Sequence, residues 1–114
     1  MRKRALLHRL ALFMLLSAPA VAQAQDREHG AAVYELWCAP CHAAGPRKHP
    51  GTAALEILYK GDKPAVLVER TDLTEELVTF YVRNGVSIMP FFRKTEISNK
   101  DLADLAAFLV KDSQ

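Results

Sequence analysis

Two cysteines and a histidine stand together in this chain as Cys38-Ala39-Pro40-Cys41-His42. The spacing is that of a c-type haem attachment site. Two thiols add across the two vinyl groups of a haem, and two intervening residues on a helical turn set the sulfurs at the separation of those vinyls. The adjoining imidazole then points at the iron from one face. Three other chemistries use the same residues. A redox-active dithiol also has two Cys separated by two residues, but it follows a strand in a thioredoxin-like sheet, and the sequence has no convincing run of alternating strands. A zinc site needs four ligands; His29 and His49 could join His42, yet there is no second Cys pair. A plain disulfide here would close a very short loop and stabilise little. Haem is the leading reading, with these three as its rivals.

Haem iron used for electron transfer is held on both faces, and a Met opposite a His raises the reduction potential. Of the three Met, Met1 and Met14 lie in an N-terminal leader, which leaves Met89 in Asn84-Gly85-Val86-Ser87-Ile88-Met89-Pro90. A loop held by Gly at one end and Pro at the other can present a sulfur free of helical constraint. Core filler is the common role of a lone Met, but beside a haem motif the expectation is an axial ligand. His29 lies too close to the motif to cross the ring easily, and His49 falls in the proximal loop; both are expected to be exposed.

The leader itself is an address. Arg2, Lys3, Arg4 and Arg9 form a basic n-region, Leu10 to Leu16 an apolar run, and Ala22-Gln23-Ala24 a small-x-small cleavage site. The run falls well short of the roughly 20 residues of a membrane-spanning helix. Residues 1–24 thus read as a cleaved signal peptide and 25–114 as one domain, exported to the periplasm with no membrane anchor. The 114-residue chain carries a formal charge of +2; without those four basic residues it becomes −2, which disfavours a nucleic-acid binder. A domain this small gains marginal stability from burial alone, so a cofactor would help it fold.

Short helices must position the motif. Gly30, Tyr34 and Cys38 share one helical face running into it. Ser98 and Asp101 form a capping-box pair opening a helix to about Lys111, with Leu102, Leu105, Ala106 and Leu109 as its apolar stripe. Between them, Thr52 is expected to cap a helix stopped by Gly61, and Thr74 another that ends at Asn84-Gly85, with Glu75 and Glu76 in its first turn. Lys63 to Arg70 is ambiguous: Val66-Leu67-Val68 is strand-like, while Pro64 could open a helix.

Taken together the residues resemble a small bacterial class I cytochrome c. The resemblance spans the chain after the leader: Gly30-x3-Tyr34-x3-Cys38-x2-Cys41-His42, Pro50-Gly51, Val82-Arg83-Asn84-Gly85-x3-Met89-Pro90, and Leu105-Ala106-Ala107-Phe108-Leu109. It implies an all-α fold of three to five short helices around one covalently bound haem c, attached through Cys38 and Cys41 and ligated by His42 and Met89. It also implies that a Pro carbonyl, matched best by Pro50 rather than Pro46, accepts the Nδ1 proton of His42. Phe91 departs from the second Pro of many relatives, and Lys60 to Leu73 has no counterpart in the general pattern. The function implied is one-electron transfer, not catalysis, from a periplasmic dehydrogenase to a cytochrome or terminal oxidase. A weaker likeness, through Arg70-Thr71-Asp72-Leu73-Thr74 and the Met loop, is to the cytochrome subunit of p-cresol methylhydroxylase-type flavin dehydrogenases. A catalytic or gas-sensing haem protein with a displaceable distal ligand is the remote alternative. Arg83, Arg93 and Lys94 are expected to make the Met loop's rim positive, Asp101, Asp104 and Asp112 to be solvated, and Phe91 and Phe92 are candidate docking anchors.

Overall fold

The computed structural model describes residues 24–111. The leader reading falls almost wholly outside that range, as does Asp112. Among the described residues there are five α-helices and no strand: α1 (Arg27–Trp37), α2 (Ala39–His42), α3 (Pro50–Tyr59), α4 (Glu75–Asn84) and α5 (Asn99–Leu109). None is long and apolar enough to cross a membrane. This is the all-α arrangement of short helices that the resemblance implied.

The dominant packing is α1 against α5. Asp26 caps α1 by accepting the His29 backbone N–H at 3.0 Å. Gly30 lies flat against α5, where any Cβ would collide with the Asp104 carbonyl. Tyr34 is buried, its ring 5.6 Å from that of Phe108. On α5 both bonds of the Ser98–Asp101 capping box are made, and the expected stripe of Leu102, Leu105, Ala106 and Leu109 is buried, with Ile97 beneath it. The helix stops at Leu109, two residues earlier than expected.

One end of this helix pair is polar. Asp104 was expected to be solvated, yet it is fully buried. It accepts the Asp26 backbone N–H at 2.8 Å and the Lys100 ammonium at 2.6 Å, which satisfies a charge that would otherwise be costly to bury. Those bonds hold its carboxyl below the usual range. Asp101 is held low as well, first by His29, whose Nε2 lies 2.7 Å from Oδ1, and then by Ser98.

Two local expectations change. Thr52 does not cap α3: Pro50 takes the first helical position with His49 as N-cap, as suits a residue with no N–H to offer. Residues 63–70 are neither strand nor α-helix but hold only the 3-10 turn Leu67–Glu69. Arg70 governs them. It is 6% exposed, donates through Nε and Nη2 to Asp72 at 2.6 and 2.7 Å, and reaches Tyr59 Oη at 2.5 Å. Lys63 reaches Asp72 at 2.9 Å. Arg70 and then Lys63 hold the Asp72 carboxyl far below the usual range. Helix α4 follows expectation, capped by Thr74 and ended by Gly85 at φ 66°.

Candidate haem site

The motif forms the single turn α2, with Cys38 as N-cap and Pro40 in its first turn. A four-residue helix leaves most of its carbonyls without intrahelical partners, and three side chains from elsewhere meet those at Pro40, His42 and Ala43. Tyr34 Oη donates to the His42 carbonyl at 3.2 Å. Thr52 Oγ1, fully buried, donates to the Ala43 carbonyl at 2.7 Å. His49 Nδ1 donates to the Pro40 carbonyl at 3.0 Å. The sequence placed His49 in solvent and Thr52 at a helix cap; both are fasteners of this turn. Neither role could be read from spacing, because each depends on how α3 folds back.

Helix α3 comes back very close. A Cβ on Gly51 would lie 2.7 Å from the Cys41 carbonyl and 2.9 Å from His42 Cε1, so its N-terminus rests on the imidazole. The expected bond from His42 Nδ1 to the Pro50 carbonyl is not made: Nδ1 is buried and has no hydrogen-bond partner. Pro50 is the first residue of α3, and its carbonyl points along that helix rather than across to α2.

Met89 is half-buried in a tight hairpin after α4. Val86 and Met89 exchange both backbone bonds, at 3.1 and 2.9 Å. Ser87 takes φ 53°, an unusual cost for a residue with a Cβ. At Gly85 a Cβ would lie 2.5 Å from the Met89 carbonyl. The hairpin and the motif meet indirectly: Trp37, just before Cys38, stacks edge-on with Phe92, three residues after Met89, at 5.8 Å.

Of the positive rim expected from Arg83, Arg93 and Lys94, Arg83 is lost, while Arg93 stays 71% exposed and Lys94 is exposed. Arg83 turns inward to the carbonyls of Phe92 and Ile97, and Arg93 pairs with Glu96 at 3.5 Å. The surface of the hairpin is apolar, with Ile88 74% and Phe91 61% exposed.

The chemistry of these groups fits a haem better than its rivals. Cys38 and Cys41 are free thiols. Burial, and then the neighbouring Cys41, pushes the Cys38 thiol up to about 12, the opposite of the lowered value a dithiol oxidoreductase needs. Among the described residues no three His, Cys, Asp or Glu side chains gather as a metal cluster, which leaves the zinc reading without ligands. Burial lowers the value for His42, favouring the neutral imidazole that ligates metal.

Comparison with known proteins agrees. The family described as cytochrome c oxidase, cbb3-type, subunit III, matches residues 25–109. Cytochrome c6 of Picosynechococcus sp. (strain ATCC 27264 / PCC 7002 / PR-6) is 32% identical over 92% of this chain and 87% of its own length. Cytochrome c6 of Pyropia yezoensis is 26% identical over 99% of this chain and 96% of its own. No solved structure matches significantly. With its helices, its free thiol pair and these relatives, the chain belongs to the cytochrome c family, as a small monohaem class I member with one covalently attached haem c.

Proposed function

We infer that this chain, like the haem electron carriers of its family, acts with redox partners. We propose that here Cys38 and Cys41 would make the two thioether bonds, that His42 and Met89 would hold the iron, and that the protein carries single electrons in the periplasm after residues 1–24 have directed its export. The observation that carries this reading is the Gly85–Met89 hairpin, which presents the only Met outside the leader on a closed, hydrogen-bonded turn. Haem c supplies a one-electron Fe(II)/Fe(III) couple. The chain's part is to fix its ligands: α2 and α3 hold the imidazole, the hairpin holds the thioether, and apolar side chains exclude water. With His42 and Met89 both holding the iron, the group would serve electron transfer rather than substrate binding.

Haem staining on a denaturing gel tests the attachment; a chain that loses its haem to acid–acetone extraction contradicts it. Met89→Ala should leave the haem attached, lower the reduction potential and open the sixth position to added ligands. An unchanged spectrum and potential would assign the distal ligand elsewhere.

The partner reading is a periplasmic dehydrogenase as donor and a cytochrome or terminal oxidase as acceptor. The resident-subunit version, of the p-cresol methylhydroxylase type, gains support from Ile88 and Phe91, whose exposure beside Met89 suits an apolar contact. Gel filtration with the native dehydrogenase over a range of salt separates the versions. A complex lost in Phe91→Ala but indifferent to salt supports the subunit. Transfer slowed by Arg93→Glu at low salt only supports the free shuttle.

A further inference from the structure

Residues 85–98 join α4 to α5 and carry Met89, and most of their hydrogen bonds are local. The hairpin closes on itself, the Arg93 backbone N–H donates to Glu96 Oε2 at 2.8 Å, and the Arg93 carbonyl accepts from Glu96 and Ile97. What fixes this loop relative to the helices is a smaller set. The Phe92 backbone N–H donates to the Val82 carbonyl at 2.8 Å. Beside it, the half-buried Arg83 donates through Nη1 to the carbonyls of Phe92 and Ile97, at 3.0 and 2.9 Å, and through Nη2 to Asn99 Oδ1 at 3.2 Å. One side chain in the last turn of α4 therefore ties the exit of the Met89 hairpin, a fully buried core residue and the first residue of α5.

We propose that Arg83 is the positioning residue for Met89, acting through its fork and not through its charge. This rests on the reading of Met89 as distal ligand. A planar guanidinium can satisfy two carbonyls and an amide oxygen together, whereas a Lys ammonium is a single compact charge with no such geometry. Without the fork the Phe92 and Ile97 carbonyls lose their shared donor. The hairpin gains freedom, and an added ligand displaces the thioether more readily because the competition it faces is weaker.

The test is titration of the ferric holoprotein with imidazole, followed through the Met-to-iron charge-transfer absorption, with haem content and helical circular dichroism as controls. Arg83→Gln and Arg83→Lys should each bind imidazole about tenfold more tightly than the wild type, the equivalent of one hydrogen bond. Asn99→Ala removes one of three acceptors and should shift the affinity the same way by less. If Arg83→Gln does not accumulate as holoprotein, Arg83→Lys and Asn99→Ala carry the test. Wild-type affinity in Arg83→Lys overturns the assignment, since charge alone would then suffice. A charge-transfer absorption lost in Met89→Ala, with imidazole affinity unchanged in the Arg83 variants, overturns the assignment alone. An absorption that Met89→Ala leaves intact overturns the distal reading and the assignment together.

Discussion

The two arms that present His42 and Met89 are built differently. Around His42, carbonyls of a single helical turn are met by donors from three places: Tyr34 on α1, His49 at the cap of α3 and Thr52 inside it. Gly51 lets α3 lie directly on the ring. Around Met89 the chain is bonded mainly to itself, through the Val86–Met89 pair, and is tied to the helices by the Phe92–Val82 bond and by Arg83. A segment held by several independent elements opens only when they all do, whereas a self-bonded loop can detach as a unit. Under the proposed ligation Met89 lies on the distal arm and His42 on the proximal one, so the distal arm is the labile one and its failure should spare the proximal turn.

The largest effect should come from removing the haem that both arms are proposed to hold. Helices of four to eleven residues bury too little apolar surface against one another to offset chain entropy in a domain of this size. Cys38→Ala/Cys41→Ala should therefore give a chain with little helical circular dichroism. A cooperative melt of that apo-protein would show that the helices hold without the haem.

Gly85→Ala should come next and act on the distal arm alone. It combines a φ of 66° with a Cβ 2.5 Å from the Met89 carbonyl, so the hairpin must shift. Haem attachment should survive while the reduction potential falls, as voltammetry would record. A variant that keeps its potential but loses its haem would reverse the comparison.

Thr52→Val tests the proximal arm with nearly the same shape. It leaves the Ala43 carbonyl without its 2.7 Å donor, a loss of about 1–3 kcal/mol in denaturant stability. Because Tyr34 and His49 remain, the Met89 absorption should be unchanged. If that absorption disappears, the arms are not independent.

Acid should bring a graded loss that belongs to neither arm. Asp72, Asp101 and Asp104 have carboxyls held low in the folded state by Arg70 and Lys63, by His29 and Ser98, and by Asp26 and Lys100. The unfolded chain then binds more protons as the pH falls, so stability is fully present above the ordinary Asp value of about 4 and declines below it. Stability that stays flat from pH 5 to 3 would argue that these pairs do not persist in solution.

The legible parts of this fold were those governed by local rules. The capping box at Ser98, the Gly85 stop and the buried stripe of α5 follow from residue types at fixed offsets. The motif announced its own cofactor. What escaped depends on chain return. Asp104 has the composition of a solvated residue, and only the close approach at Gly30 turns it into a buried acceptor. Arg83 sits next to the Met loop in sequence, yet its partners lie nine to sixteen residues further on. Pro50 was matched to His42 through the family pattern, but its place at the start of α3 directs its carbonyl away.

The difference between the arms can be measured in one denaturant titration of the ferric holoprotein, followed by two probes. With Met89 as the proposed iron ligand, the Met-to-iron charge-transfer absorption would report the distal arm, and far-ultraviolet circular dichroism reports the helices. Loss of the absorption at clearly lower denaturant than loss of helix is the expected result, with haem still attached throughout. Coincident transitions would mean that the hairpin and the helices form one cooperative unit, and the division into a fastened proximal arm and a labile distal arm would be wrong.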